Sequence, residues 1–273
     1  MKNDVNRPPM AVILAAGTGA GLSPLTDTSP TGLLSVGGSG ILERMIRNCL
    51  SCGISQFVLV LGHRSDQIRQ FVDKTFRGVR ITYVVNDRYH ETDTGYCLML
   101  AASAIGTSDF VKLDVDVVFD VKILRRLVDS NLSNVLCVDR NVAQADAAQT
   151  VVADDDMQVL EIGRDVDAER ASGATLGIDK ISAGTGPLLF AELVRMMESN
   201  AHLKDACGVA YAHLLASGAV FHALDITGLN WTKIATADGF AAANTMFGTP
   251  IMTVSRGQQR AQDEAAEKAA AAS

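Results

Sequence analysis

"LAAGTGAGLSPLTDTSPTGLL", residues 14–34, follows directly on the apolar run MAVILA at 10–15. A short continuous apolar run that closes on a glycine reads as a buried strand. A strand that opens into a Gly-rich turn offers backbone N–H groups to phosphate. Gly17 and Gly19 would let that backbone approach a ligand with no Cβ in the way. Yet from Pro8 to Glu43 the chain has no lysine and no arginine. Two common phosphate-loop patterns also fail. No Gly-Lys-Ser/Thr is present, and the third glycine of the dinucleotide fingerprint falls on Leu22.

Working outward, apolar runs and amphipathic stretches alternate. ILERMIRNCL has helical spacing, QFVLVLG (56–62) reads as a second strand and RSDQIRQFVDKTF as an amphipathic helix. VRITYVV (79–85) follows as a strand, TGYCLMLAASAIG as one buried helix, and DFVKLDVDVVF (109–119) begins with a strand. VKILRRLVDS is helical and NVLCVD is a strand. Strands alternating with helices imply right-handed βαβ units. The expected fold is α/β, a three-layer, mostly parallel Rossmann-like sheet with helices on both faces. Beyond that point the texture changes. A hairpin with a polar tip at Asp154–Asp156 precedes the strand-like ATLGIDKISAG, two helices, the strand-like AVFHALDITGLNW and a helix from about Ala237. Residues 1–250 are read as one domain, with a nucleotide half at about 10–140 and an acceptor half at about 141–250. Residues 251–273 form an Ala/Gln/Glu-rich tail, either a solvated, fraying helix or disordered.

The chain has 273 residues, of which 48% are hydrophobic, enough for a sizeable core. A net charge of −7 argues against general binding to nucleic acid or anionic membrane. No apolar stretch approaches the roughly 20 residues of a membrane span. Five cysteines and no visible signal peptide point to a reduced, cytoplasmic protein.

Residues 14–26 stand as Leu14-Ala15-Ala16-Gly17-Thr18-Gly19-Ala20-Gly21-Leu22-Ser23-Pro24-Leu25-Thr26, followed by Pro30-Thr31-Gly32-Leu33-Leu34. This resembles the signature of nucleotidyltransferases of the sugar-phosphate, choline-phosphate and inositol-phosphate type: Leu-Ala-Ala-Gly-x-Gly-x-Arg-Leu-x-Pro-Leu-Thr, then Pro-Lys and Leu-Leu. The likeness continues through VGGSGILERMIRNCLSCGI, FVLVLGH, VVNDRYHETDTGYCLMLA, LDVDVVFD and LNWTKIATADGFAAA, covering about residues 10 to 245. It implies the fold of the nucleotide-diphospho-sugar transferases. It also implies Mg2+-assisted transfer of a nucleotidyl group to a phosphorylated acceptor with release of pyrophosphate. The choline- and inositol-phosphate branches point to CTP, and to a small phosphorylated alcohol or an aminoalkyl-phosphonate-like acceptor. Carried over by position, the resemblance makes Asp116 the metal carboxylate and catalytic. It puts nucleotide against Leu14, Ala15, Ala16, Gly17, Thr18, Gly19, Gly62, Asp93 and Thr94, and acceptor against Tyr96 and Trp231. A homodimer or a complex with an active enzyme is left open.

The sequence also departs from the pattern. The family's loop arginine is Gly21, its loop lysine is Thr31 and its second metal aspartate is Ala235. Asp93 stands where the family has asparagine. Losing one preorganised charge-stabilising donor typically costs roughly 3–4 kcal/mol in the transition state. The alternative is therefore a catalytically degenerate relative that regulates or scaffolds an active partner. Two features would offset the loss. Asp114 lies two residues before Asp116, and on a strand both face one side, giving a replacement catalytic pair. A cation from Arg64, Arg88, Lys180 or a partner chain would be the other.

Cys49-x-x-Cys52 sits in an apolar helix with no second pair and reads as core rather than a zinc site. His63 follows Gly62 at a strand end, where α/β sheets place ligands. Trp231 is read either as a platform for a quaternary ammonium or as core filling.

Overall fold

The computed structural model describes residues 8–141 and 149–248; the tail at 251–273 lies outside the described residues. The first apolar run forms β1 (Met10–Ala15). Residues 16–40 hold three short 3-10 turns (Ala20–Leu22, Leu25–Asp27, Thr31–Leu33) and a two-residue ladder, β2 (Ser35–Val36) with β3 (Ser39–Gly40). Then come α1 (Ile41–Ser51), β4 (Gln56–Leu61), α2 (Ser65–Thr75), β5 (Arg80–Val85), α3 (Thr94–Leu100), α4 (Ala102–Ile105), β6 (Phe110–Asp114) and β7 (Val117–Phe119). The chain continues through α5 (Val121–Asp129), β8 (Val135–Asp139), β9 (Thr150–Ala153), β10 (Val159–Gly163) and β11 (Gly173–Ile181). It ends with α6 (Gly186–Met197), α7 (Cys207–Ala216), β12 (His222–Asp225), β13 (Trp231–Lys233) and α8 (Ala237–Phe247).

The sheet is mixed but mostly parallel, with helices on both faces. β6, β1, β4 and β5 lie side by side and parallel. β11 runs against β6 on one edge and against β8 on the other, and β8 pairs parallel with β12. β9 and β10 make the expected hairpin, antiparallel, and β9 also meets the start of β11.

Strand alternation sorts the core into two layers. Ala11, Ile13 and Ala15 of β1 face the layer that α1, α2 and α5 cover, with Met45, Ile68 and Leu124. Val12, Leu14 and Ala16 face the opposite layer under α3, α6 and α7, with Leu98, Leu193 and Tyr211. Helix α1 buries Ile41, Leu42, Met45, Ile46 and Cys49, the stripe its spacing predicts. Cys49 is thus core, and burial pushes its thiol up.

Two stretches break where one element was expected. Residues 94–106 form α3 and α4 with Ala101 between them, closed by Gly106 at φ 60. Residues 109–119 divide after Asp114, and β7 leaves the main sheet to pair with β13. A third small cluster under the glycine loop joins Leu22, Leu34, Val118, Ile234 and Ala243, which anchors the loop to β7 and α8.

Candidate active site

In register, Leu14 of β1 pairs with Asp114 of β6, so the glycine loop and Asp116 leave the same end of adjacent parallel strands. That end is where open α/β sheets bind ligands. Leu14, Ala15 and Ala16 are buried, and their part is structural as well as positional. The Leu14 carbonyl accepts from Val115 N at 3.2 Å and the Ala16 carbonyl from His63 N at 3.0 Å. Gly62 packs against Ala16 so closely that a Cβ there would come within 2.7 Å of the Ala16 carbonyl oxygen.

The loop itself has an open side and a backed side. Gly17 is exposed, and a Cβ added there meets nothing within 4 Å. Gly19 takes a left-handed φ of 65, its carbonyl held by Thr26 Oγ1 at 2.8 Å. Behind it stands Thr31, buried at 6% exposure, with Oγ1 2.3 Å from where a Gly19 Cβ would lie. Thr31, at the family's lysine position, is thus packed into the underside of the loop. Gly21 is pressed against the segment after β13, and a Cβ there would lie 2.2 Å from the Ala235 carbonyl oxygen. Two of the three positions that lack the family's charged side chain, Gly21 and Ala235, therefore lie against each other through their backbones.

Asp116 lies between β6 and β7, and its backbone carbonyl accepts from Ile234 N at 2.6 Å. Its Oδ2 is 3.5 Å from Lys233 Nζ, with about a third of each side chain exposed. Its Oδ1 is buried and has no hydrogen-bond partner among the described residues. Burial pushes the Asp116 carboxyl above its ordinary range, Lys233 pulls it back, and Asp114 adds to the push.

Asp114 closes β6, with Asp116 in the turn beyond it rather than on the same strand, and it already has a partner. Lys112 Nζ is 3.2 Å from Asp114 Oδ1 and 3.0 Å from Asp179 Oδ2 of β11. Tyr211 of α7 donates to Asp179 Oδ2 at 3.3 Å. Burial alone would lower the Lys112 pKa, but the two carboxylates outweigh it and keep the ammonium charged. The cluster holds two carboxylates against one ammonium, and burial raises Asp179 above its ordinary range. Beside it lies a cavity of about 30 Å³, lined among others by Thr94, Asp114, Gln149 and Asp179. That is room for water or a small cationic group, not for a base.

Thr94 reaches this cavity, and its Oγ1 accepts from Cys207 N at 3.2 Å. Asp93 caps α3, its Oδ1 accepting from Thr94 N at 2.6 Å. Tyr96 is half-buried beneath the Arg88 guanidinium, 5.7 Å from the ring centre. Trp231 packs on the first core layer and donates its indole N–H to Asp139 Oδ2 at 2.7 Å. Thr18 lies on the loop between Gly17 and Gly19, half-buried. His63 lies tilted against Tyr89, ring centres 5.9 Å apart.

The three cations named as substitutes have other engagements. Arg64 donates through Nη2 to the Asp27 carbonyl, bracing the outer part of the loop. Arg88 pairs with Glu91 at 2.9 Å. Lys180 donates to the Ser130 carbonyl, and in register it lies opposite Val111 near the start of β6, away from Asp116. The cation that does reach Asp116, Lys233, was not singled out from the sequence. The signal was present: Lys233 lies two residues before position 235, inside the segment that the resemblance covers.

This geometry tests the implied Mg2+ site. A hard dication wants several oxygen ligands, preferably anionic. Here one carboxylate is offered, an ammonium lies 3.5 Å from it, and Ala235 supplies no second side-chain oxygen. Among the described residues no group of three or more His, Cys, Asp or Glu is placed to hold a metal. The residues present do not fit the ion.

Comparison with known proteins agrees with the loop. The family model described as "Nucleotidyl transferase" matches residues 10–162. A CMP-5'-(3-aminopropyl)phosphonate synthase of Streptomyces rubellomurinus is 30% identical over 167 residues, 61% of this chain and 26% of that protein. A choline-phosphate cytidylyltransferase of Streptococcus pneumoniae is 30% identical over 104 residues, 38% of this chain and 44% of that protein. The chain thus spans less than half the length of these curated relatives. The solved inositol-1-phosphate CTP transferase of T. maritima superposes with a TM-score of 0.73 at 16% identity, covering 88% of this chain and 97% of that one. At that identity the likeness is one of fold. No helix among the described residues is long and apolar enough to cross a membrane.

Proposed function

The chain belongs to the nucleotidyl transferase family, and from that premise we propose that it binds CTP over the loop after β1 and passes the cytidylyl group to a small phosphorylated or phosphonylated alcohol. An acceptor oxygen would form a bond to the α-phosphorus. The bond from that phosphorus to the bridging oxygen would break, and pyrophosphate would leave with the electron pair. Such a step asks the protein for positioning and charge stabilisation rather than covalent chemistry. The observation that carries this reading is the open main chain at Gly17, beside Asp116 at the carboxyl ends of adjacent parallel strands. CTP is favoured because the relatives above are named for cytidylyl chemistry. The acceptor is read as one bearing an amine, since the Lys112–Asp114–Asp179 cluster carries a surplus carboxylate next to a small cavity.

Thermal unfolding with each nucleoside triphosphate tests the reading. A ligand at about 100 times its dissociation constant adds about 2.7 kcal/mol. A shift with CTP above that with the other triphosphates is expected; no shift with any of them sinks the proposal.

A second reading has its own support. Gly21 and Thr31 are packed into the loop where the resemblance implies cations, and Gly21 rests on the Ala235 backbone. A relative that binds nucleotide without turning it over, and serves an active partner, would look like this. Pyrophosphate release from CTP with aminoalkyl-phosphonate or choline phosphate separates the two: binding without release favours the second reading.

A further inference from the structure

We infer that the Lys233 ammonium takes the place of the divalent cation at Asp116, so that this chain engages nucleoside triphosphate without a bound metal. This rests on the nucleotide site proposed above. Three observations carry it. Lys233 is the last residue of β13, opposite Val117 in register, which sets its side chain beside Asp116 rather than leaving it free in solvent. Its Nζ is 3.5 Å from Asp116 Oδ2, so the one carboxylate left at the site already faces a fixed positive charge. Position 235, two residues beyond the end of β13, is alanine, so the second carboxylate is gone close to where the cation has appeared.

The physical logic is one of exchanged charge. A dication between two aspartates has its charge balanced by theirs. One aspartate with one lysine reaches the same neutral balance with no ion. Adding a dication would set it against an ammonium with a single anionic ligand, which is repulsive at this range. Asp114 is ion-paired to Lys112, an ammonium it shares with Asp179, rather than to Lys233. The missing cations of the glycine loop fit the same picture, since Lys233 supplies a positive charge from the other wall of the site.

Mn2+ is the probe, added to the full chain and followed by the electron paramagnetic resonance signal of the free ion. The parent should take up no Mn2+ that Asp116→Asn abolishes. Lys233→Met combined with Ala235→Asp should take up one ion, lost again when Asp116→Asn is added. Uptake by the parent that depends on Asp116 overturns the inference, and so does a double variant as inert as the parent. Circular dichroism confirms that each variant is folded. In a second arm, calorimetric titration of CTP should give the same affinity in EDTA as in Mg2+. Lys233→Met should weaken EDTA-resistant binding by about ten- to hundredfold, the range of one charge-assisted hydrogen bond, and Lys233→Arg should retain it. CTP binding that requires Mg2+ overturns the inference and leaves the nucleotide reading standing. If no triphosphate binds in either buffer while Mn2+ behaves as expected, the nucleotide reading fails and the exclusion of metal by Lys233 stands.

Discussion

Gly21 is a glycine for want of space. A single Cβ there would come within 2.2 Å of the Ala235 carbonyl oxygen, a backbone atom that cannot swing aside. Reinstating arginine at 21 therefore means displacing the segment after β13, and overpacking of this kind typically costs about 1–3 kcal/mol. Gly21→Arg should lower the midpoint of urea unfolding accordingly; an unchanged midpoint would show that the loop has slack. Lys112 makes the opposite case. It is 3% exposed and pairs with buried Asp179 and half-buried Asp114, so Lys112→Met should cost about 3–5 kcal/mol by stranding them. Adding Asp114→Asn and Asp179→Asn should recover a good part of that loss, measured by the same denaturation. Much at this scale was legible. A strand opening into a glycine turn follows from residue type, and Asp116 was placed by the resemblance. What was not legible is which cation meets which anion. Lys112, Asp179 and Tyr211 come from two strands and a helix far apart in sequence, and their ion pairs depend on the register of β6 against β11.

Helices α6 and α7 are joined by one polar clasp. Glu192 Oε1 on α6 accepts from Arg195 Nη2 at 2.6 Å and lies 2.5 Å from His213 Nδ1 on α7. These hydrogen bonds, Arg195 first, draw the Glu192 carboxyl down from 4.5 to about 2. A carboxylate whose folded pKa is depressed contributes stability that is fully present above its unfolded pKa and is lost as pH falls through the folded one. Wild-type stability should therefore decline from about pH 4.5 towards 2 more steeply than that of Glu192→Gln. Arg195 and His213 are each more than a third exposed, so at neutral pH the variant should lose less than about 1 kcal/mol. Parallel acid-unfolding curves for the two proteins would show that the clasp is inert. The elements themselves were largely readable, because buried stripes and strand alternation depend on local order. The exceptions have tertiary causes. β7 separates from β6 because β13 offers it a second partner, and α3 stops at Leu100 because the chain tightens at Ala101 before the left-handed Gly106.

At the scale of the molecule, the division into a nucleotide half and an acceptor half is a reading of texture, and the sheet ties the two together. β11 pairs with β6 on one edge and with β8 on the other, while β13 pairs back to β7. The first core layer holds Ile13 and Leu59 from the first half together with Leu176, Ile178 and Ile226 from the second. A cut between the halves would strip β6 of a neighbour and open that layer, so neither half has a closed core of its own. Unfolding should then be a single cooperative transition despite a chain length at which intermediates become common. Trp231, the one tryptophan, makes this measurable. It lies in the second half, on the strand that carries Lys233, and its indole N–H is bonded to Asp139 at 2.7 Å. Its fluorescence reports on the junction, and far-ultraviolet circular dichroism reports on the whole sheet. The two denaturation curves should coincide, and saturating CTP should move both by the same amount, because a ligand held between β1 and β6 stabilises everything that unfolds with them. A fluorescence transition that precedes the loss of circular dichroism, and that CTP leaves in place, would instead mark the second half as a unit that lets go first.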